Sequence, residues 1–379
     1  MQLYNTLTSR KEHYDADTVR MYVCGITPYD TTHLGHALTY VVFDVLARYL
    51  EHRGKSVMYV QNITDIDDDI IRESATRGTD WRTLGDENVQ RFLEDMDALN
   101  IRRPHVMPRA ADHIPDIDVI NRYLVEKGVA YEAGGSVYFR ASQAPFGCLS
   151  GLPEDEWLPT ANERGNTPDD PWKEHPLDFV LWQGAKPGEP SWDSVFGPGR
   201  PGWHVECSAM SMKYLGHTLD IHGGGSDLMF PHHEAEIAQS EAYTDQQFAR
   251  FWMHVGMLRY QGEKMSKSLG NMVFVSDLLQ RHSANAVRMA LLLHHYRESW
   301  EFTEDEMWRG DRAAEAVEQG GSEEVDVDAE RARFVEAMDD DLNTPDAAHA
   351  LLRLAYGSNR SGEARNALEE LSWILGLVL

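Results

Sequence analysis

The stretch from Arg20 to Val60 constrains the fold more than any other part of the chain. Arg20-Met21-Tyr22-Val23-Cys24 reads as a buried strand, and Gly25 to Thr32 as a loop. Ala37 to Arg53 carries apolar residues at helical spacing, and Ser56-Val57-Met58-Tyr59-Val60 is a second strand rich in β-branched and aromatic residues. Strand, helix, strand at this spacing is a βαβ unit. It commits the chain to a parallel sheet whose ligand-contacting loops gather at the strands' carboxyl ends. Asn62-Ile63-Thr64-Asp65-Ile66-Asp67-Asp68 follows the second strand directly, where such loops sit.

The rest of the chain extends that plan. Residues from about 75 to 130 look helical, and about 131–200 turns to short strands and Pro/Gly-rich loops, read as an insertion. The sheet is expected to resume near Gly202-Trp203-His204-Val205-Glu206-Cys207. Residues 281–379 look helical, with an acidic, Gly-containing linker around Gly320 to Asp328 and no internal repeat. The expected fold class is therefore α/β: a Rossmann-like parallel-sheet domain over 1–250 with an inserted segment at about 131–200, a loop and helical connection over 251–310, and an acidic helical bundle over 311–379.

Composition narrows the setting. At 379 residues and 42% hydrophobic content the chain can bury a large core. Its start has neither a basic end nor an apolar stretch, so no signal peptide is expected, and no apolar run is long enough to span a membrane. Cys24, Cys148 and Cys207 are too few and too scattered for a disulfide framework, which fits the cytoplasm. Charge is the anomaly: 62 acidic against 35 basic residues give −27. Such acidity points to a halophilic host or to a protein that does not bind RNA, since nucleic-acid binders usually carry a basic footprint. From Glu301 onward, 20 acidic and 7 basic residues include no lysine, a poor surface for gripping a phosphate backbone at low salt.

Two short motifs carry the chemistry. In Thr32-His33-Leu34-Gly35-His36 the histidines are three apart and would share one helix face. Gly35 removes a side chain where a nucleotide must approach, and a helix beginning here adds partial positive charge suited to phosphate. In Lys264-Met265-Ser266-Lys267-Ser268 two lysines and two hydroxyls precede Gly270, supplying mobile cations for a triphosphate transition state. His33, His36, Lys264 and Lys267 are the candidate catalytic residues, with Gly35, Ser266 and Ser268 completing a site for ATP and its Mg2+. A lone His-x-x-His is weak evidence; paired with the lysine motif it resembles the signature of class I aminoacyl-tRNA synthetases.

A third segment runs from Gly223 through Pro231-His232-His233-Glu234-Ala235-Glu236. Pro231 favours a first helical position, and His232 and Glu236, four apart, then project from one face. Cys24 ends one strand and Cys207 follows another, so two thiolates, an imidazole and a carboxylate make a candidate zinc set. Taken singly, each cysteine is as readily a small buried hydrophobe, and His/Glu pairs are common on solvated helices.

These segments, with Cys24-Gly25-Ile26-Thr27, Gly202 to Met210 and Asp220-Ile221-His222-Gly223, resemble cysteinyl-tRNA synthetase and its relative, the mycothiol-pathway cysteine ligase, over about residues 1–310. The resemblance implies one zinc per chain, held by Cys24, Cys207, His232 and Glu236, that takes the thiolate of L-cysteine. It implies a cysteine pocket at Gly25, Thr27, Thr64, Trp203 and Asp227. Pro28, Leu38, Asp69 and the chain end at Leu379, without an apparent anticodon-binding domain, look like the ligase, whereas His222 and Glu236 match the synthetase. The expected partners are ATP, L-cysteine and a small amine acceptor such as glucosaminyl-inositol, with tRNA-Cys as the alternative acceptor. No membrane contact is expected, and a monomer is.

Overall fold

The structure, a computed structural model, describes residues 1–29, 32–265 and 269–379. Four parallel strands form the central sheet: β1 (Thr18–Ile26), β2 (Ser56–Ile63), β3 (Leu219–Gly225) and β4 (Ala249–Val255), in spatial order β4-β3-β1-β2. Helix α1 (Leu34–His52) makes the β1-to-β2 crossover. The chain leaves β1 toward one edge and later leaves β3 toward the other. The order therefore reverses between β1 and β3, and loops diverging there open a crevice at the carboxyl ends.

Burial explains the register. Val19, Met21, Tyr22 and Val23 are all fully buried, as befits a central strand covered on both faces. Helix α1 is buried from Leu34 to Leu50 on nearly every turn because the sheet covers one side and the carboxyl-terminal helices cover the other. At about 25 cal/mol per Å2 of apolar surface, each of its buried Val, Leu and Phe side chains contributes roughly 1.5–3 kcal/mol.

Between β2 and α2 (Trp203–Leu215) lie the helices Asp68–Arg77, Trp81–Ala98 and Ile114–Glu126 and a separate antiparallel sheet of Ala130–Ala133, Ser136–Phe139, Phe179–Gly184 and Gly199–Pro201. The expectation that the sheet resumes at Gly202–Cys207 is corrected: Gly202 caps α2, so Cys207 sits on a helix. Trp203 to Met212 is buried almost throughout, and an apolar segment buried on every side lacks the periodicity that separates helix from strand. The last part of the chain is helical, with α3 (Glu234–Thr244) preceding β4 and the helices Glu304–Gln319, Val327–Asp339, Thr344–Gly357 and Gly362–Ile374 closing over α1. Among the described residues no helix is long and apolar enough to cross a membrane.

Candidate active site and metal centre

A cavity of about 1150 Å3 opens at the carboxyl ends of the sheet, walled by β1, β3, the first turn of α1, α2 and the inserted sheet. Its floor begins where β1 and β2 end. The amide of Gly25 donates to Asn62 Oδ1 at 2.8 Å, and Asn62 Nδ2 donates to Thr64 Oγ1 at 3.0 Å. A Cβ on Gly25 would lie 1.6 Å from the carbonyl oxygen of Asn62, so only glycine allows the two strands to meet there. Gly25, Thr27, Thr64, Trp203 and Asp227 all line the cavity.

The phosphate motif differs in detail from its expected form. His33 is the N-cap of α1 rather than a helical residue: its Nδ1 accepts from the Gly35 amide at 3.1 Å, in the manner of a capping side chain. The His33 and His36 rings nevertheless come together, stacked with centroids 3.8 Å apart. A Cβ at Gly35 would meet His33 Cε1 at 2.9 Å, so this glycine makes room for the His33 ring. Burial lowers both imidazoles, His33 to about 2 and His36 to about 4, and the neighbouring charge of Lys264 adds to the effect. Both are neutral donors or acceptors at neutral pH, not cations. Lys264 faces the same cavity; Ser266, Lys267 and Ser268 lie outside the described residues.

The metal candidates converge. Cys24, Cys207, His232 and Glu236 are buried, and their ligand atoms lie within 4.8 Å of one another. Cys24 Sγ is 3.9 Å from Cys207 Sγ and 3.6 Å from Glu236 Oε1, which in turn is 3.1 Å from His232 Nε2. The regular helix starts at Glu234, not at Pro231: Met229–His233 form a wide turn in which Phe230 has extended dihedrals. His232 and Glu236 still meet across that turn. A second set, Cys24, His222, His233 and Glu236, shares two of these donors. Cys24, Cys207 and His232 line the cavity while His222 and His233 lie behind them, so the set with two thiols is the one a substrate can reach.

The donor chemistry fits a divalent cation. Burial pushes the Cys24 thiol and the Glu236 carboxyl well above their usual ranges, with the adjacent Cys207 sulfur raising Cys24 further. A cation at the centre would reverse both shifts, and a set of two Cys, one His and one Glu suits zinc. Behind it stands a layer of imidazoles that sequence reasoning did not assemble. His204 Nδ1 meets His232 Nδ1 at 2.8 Å and so directs Nε2 to the centre. His222 Nε2 meets Glu236 Oε2 at 2.9 Å, and His233 bridges Cys24 Sγ at 3.3 Å and His254 Nε2 at 2.8 Å. Such outer partners fix tautomer and orientation. Burial lowers His204, His222 and His254 to about 3. Trp203 stacks on His232 at 4.2 Å, which ties the pocket wall to one of the candidate donors. Glu234, also overlooked, accepts from the amides of Gly147, Leu149 and Ser150 at 2.5, 3.2 and 2.7 Å and fastens the inserted segment to the metal turn. The adjacent His232-His233 pair and His222 were the sequence signals for this layer; His204 and His254 had none.

A nucleotide-type crevice with its histidine pair at the first crossover helix, Lys264 close by and a parallel sheet beneath defines a class I aminoacyl-tRNA synthetase. The chain matches the tRNA synthetases class I (C) catalytic domain over residues 10–312 and the DALR domain over 333–379, and it belongs to the cysteinyl-tRNA synthetase family. It is accordingly an ATP-dependent ligase. It is 46% identical to the cysteine–tRNA ligase of Thermococcus onnurineus, covering 95% of this chain and 80% of that protein. It is 47% identical to that of Thioalkalivibrio sulfidiphilus, covering 100% and 85%. In fold it is similar to Mycobacterium tuberculosis methionyl-tRNA synthetase in complex with methionyl-adenylate, at TM-score 0.66 and 16% identity over 95% of this chain and 89% of that one.

Proposed function

We propose that this chain activates L-cysteine with MgATP and transfers it to tRNA-Cys. The observation that carries the reading is the meeting, in one cavity, of a donor set containing two thiols with the His33–His36 pair and Lys264. Relatives 43–47% identical over nearly the whole chain, each named cysteine–tRNA ligase, support it.

Cys24, Cys207, His232 and Glu236 would hold zinc(II), which when bound supplies a thiophilic site that separates cysteine from serine more sharply than pocket shape can. Asp227 offers a carboxylate to the amino group, while Gly25, Thr27, Thr64 and Trp203 shape the pocket. His33 and His36, neutral, donate to phosphate oxygens. Lys264 and Lys267 offset the charge that develops as the cysteine carboxylate attacks the α-phosphorus of MgATP and pyrophosphate departs. In the second step the acceptor's nucleophile attacks the adenylate carbonyl and AMP leaves.

The acceptor preference drawn from sequence is revised. The relatives favour tRNA over a small amine. The cavity offers the amine no counter-argument: Asp68 and Glu189 are paired with Arg200 and Asp69 with Arg72, so these lining carboxylates are already matched by cations. Cysteine-dependent exchange of labelled pyrophosphate into ATP tests the first step, and its absence would overturn the whole reading. Offering tRNA-Cys and glucosaminyl-inositol separately across a salt series tests the second. A cysteinyl ester on tRNA is expected, and an amide on the amino sugar alone would reassign the acceptor.

A further inference from the structure

We propose that Asp227 is shared by the two substrates: Lys264 occupies its carboxylate while nucleotide is absent, and nucleotide binding frees it for the ammonium group of the amino acid. ATP and cysteine then bind with positive coupling. This rests on the cysteine-activation reading above and adds to it an order of events that no relative's name implies.

The geometry carries the argument. Lys264 Nζ lies 2.6 Å from Asp227 Oδ2, a short charge-assisted bond between two cavity-lining residues from distant parts of the chain. Asp227 stands on the short turn Ser226–Leu228 that leads from β3 to the metal turn, whereas Lys264 stands on the short strand Glu263–Lys264 that leads into the lysine motif. One residue thus belongs to the amino-acid end of the cavity and the other to the phosphate end, and the ion pair joins them. Burial pushes the Asp227 carboxyl up, but Lys264 and Arg164 outweigh it and hold the group below its usual range, ionised and ready for another cation. Arg164 donates to the Asp227 carbonyl oxygen and keeps Nη1 3.8 Å from Oδ2, so the carboxylate retains a partner when Lys264 departs.

A single ammonium cannot hold both Asp227 and a polyphosphate. The side chain of Lys264 is about half exposed, so it can leave for the more highly charged ligand. While it stays, it competes with the amino group of cysteine, and the apparent affinity for cysteine falls by the fraction of Asp227 left free. By linkage, cysteine must strengthen nucleotide binding by the same factor.

The test is equilibrium titration of zinc-loaded protein with L-cysteine under reducing conditions, with and without Mg2+ and the non-reacting α,β-methylene analogue of ATP. In the wild-type chain the analogue should tighten cysteine binding by about 5-fold or more. In Lys264→Met, cysteine should bind without nucleotide about as tightly as it binds the wild type with nucleotide, and the coupling should vanish. A merely structural lysine would not strengthen ligand binding when removed. Equal cysteine affinity with and without the analogue in the wild type, or unchanged or weaker binding by Lys264→Met, overturns the shared-carboxylate proposal while leaving cysteine activation intact. Failure of the wild type to bind cysteine under either condition overturns the amino-acid reading and this proposal with it.

Discussion

Replacing Asp44 with asparagine should destabilise the whole catalytic unit without touching its chemistry. Asp44 lies on α1 at 1% exposure and accepts from Arg48 Nε at 3.0 Å, from Arg288 Nη2 at 2.8 Å and from the Arg102 amide at 3.2 Å. Arg48 and Arg288 are themselves 3% and 0% exposed. Arg288 also donates to the carbonyls of Leu375 and Leu99, and Arg48 to those of Trp373 and Asn100, so this one carboxylate is the counter-charge shared by the two guanidiniums that tie the carboxyl-terminal helices to α1. Breaking a buried pair by removing one partner costs about 3–5 kcal/mol. The carbonyl bonds survive, which places Asp44→Asn near the lower end, about 3 kcal/mol. That is a large share of a total of roughly 5–15 kcal/mol. With a urea slope of about 3 kcal/mol per molar, the unfolding midpoint should fall by about 1 M, read by tryptophan fluorescence. Arg288→Met added to Asp44→Asn should cost less than the sum of the two single changes, since removing both partners leaves less uncompensated charge. KM for cysteine in pyrophosphate exchange should stay unchanged in the folded protein. A midpoint shift below about 0.3 M, or a double variant weaker than the sum of the two singles, would refute the reasoning.

Three further outcomes are expected. Lys267→Ala should slow pyrophosphate exchange by about 10²-fold or more with little change in cysteine affinity, and an unchanged rate would remove it from the phosphate site. Cys207→Ser should lose bound zinc, measured by metal analysis, together with discrimination against serine, whereas Cys148→Ser, exposed and outside both donor sets, should be nearly silent. Because burial holds His33 at about 2 and His36 at about 4, acidification from pH 8 to 6 leaves both neutral. The pH profile of kcat/KM for exchange should therefore show no break from them in that window. A break near 6.5 that disappears in His36→Asn would contradict the buried, neutral assignment.

Some of this protein was decided by local chemistry and so could be read along the chain. The β-branched, aromatic strand around Arg20–Cys24, the helical spacing after His33 and the strand at Ser56 carry their own periodicity, and they fix a parallel sheet with its site at the carboxyl ends. The histidine and lysine motifs and the Cys, His and Glu donors are chemically distinctive residue types, so they stand out in the sequence without the fold. What the chain could not disclose arises from burial and from partners distant in sequence. Gly202–Leu215 reads equally as strand or helix because every side is covered, and only its packing between the sheet and α3 makes it a helix. The hydrogen bond of His204 to His232, the clamp of Glu234 on Gly147–Ser150 and the hold of Lys264 on Asp227 join residues separated by 28 to 87 positions. Asp44 and Arg288 are 244 apart. Charges and imidazoles show no periodic signal, and their effect depends on a low-dielectric neighbourhood that exists only once the chain has folded.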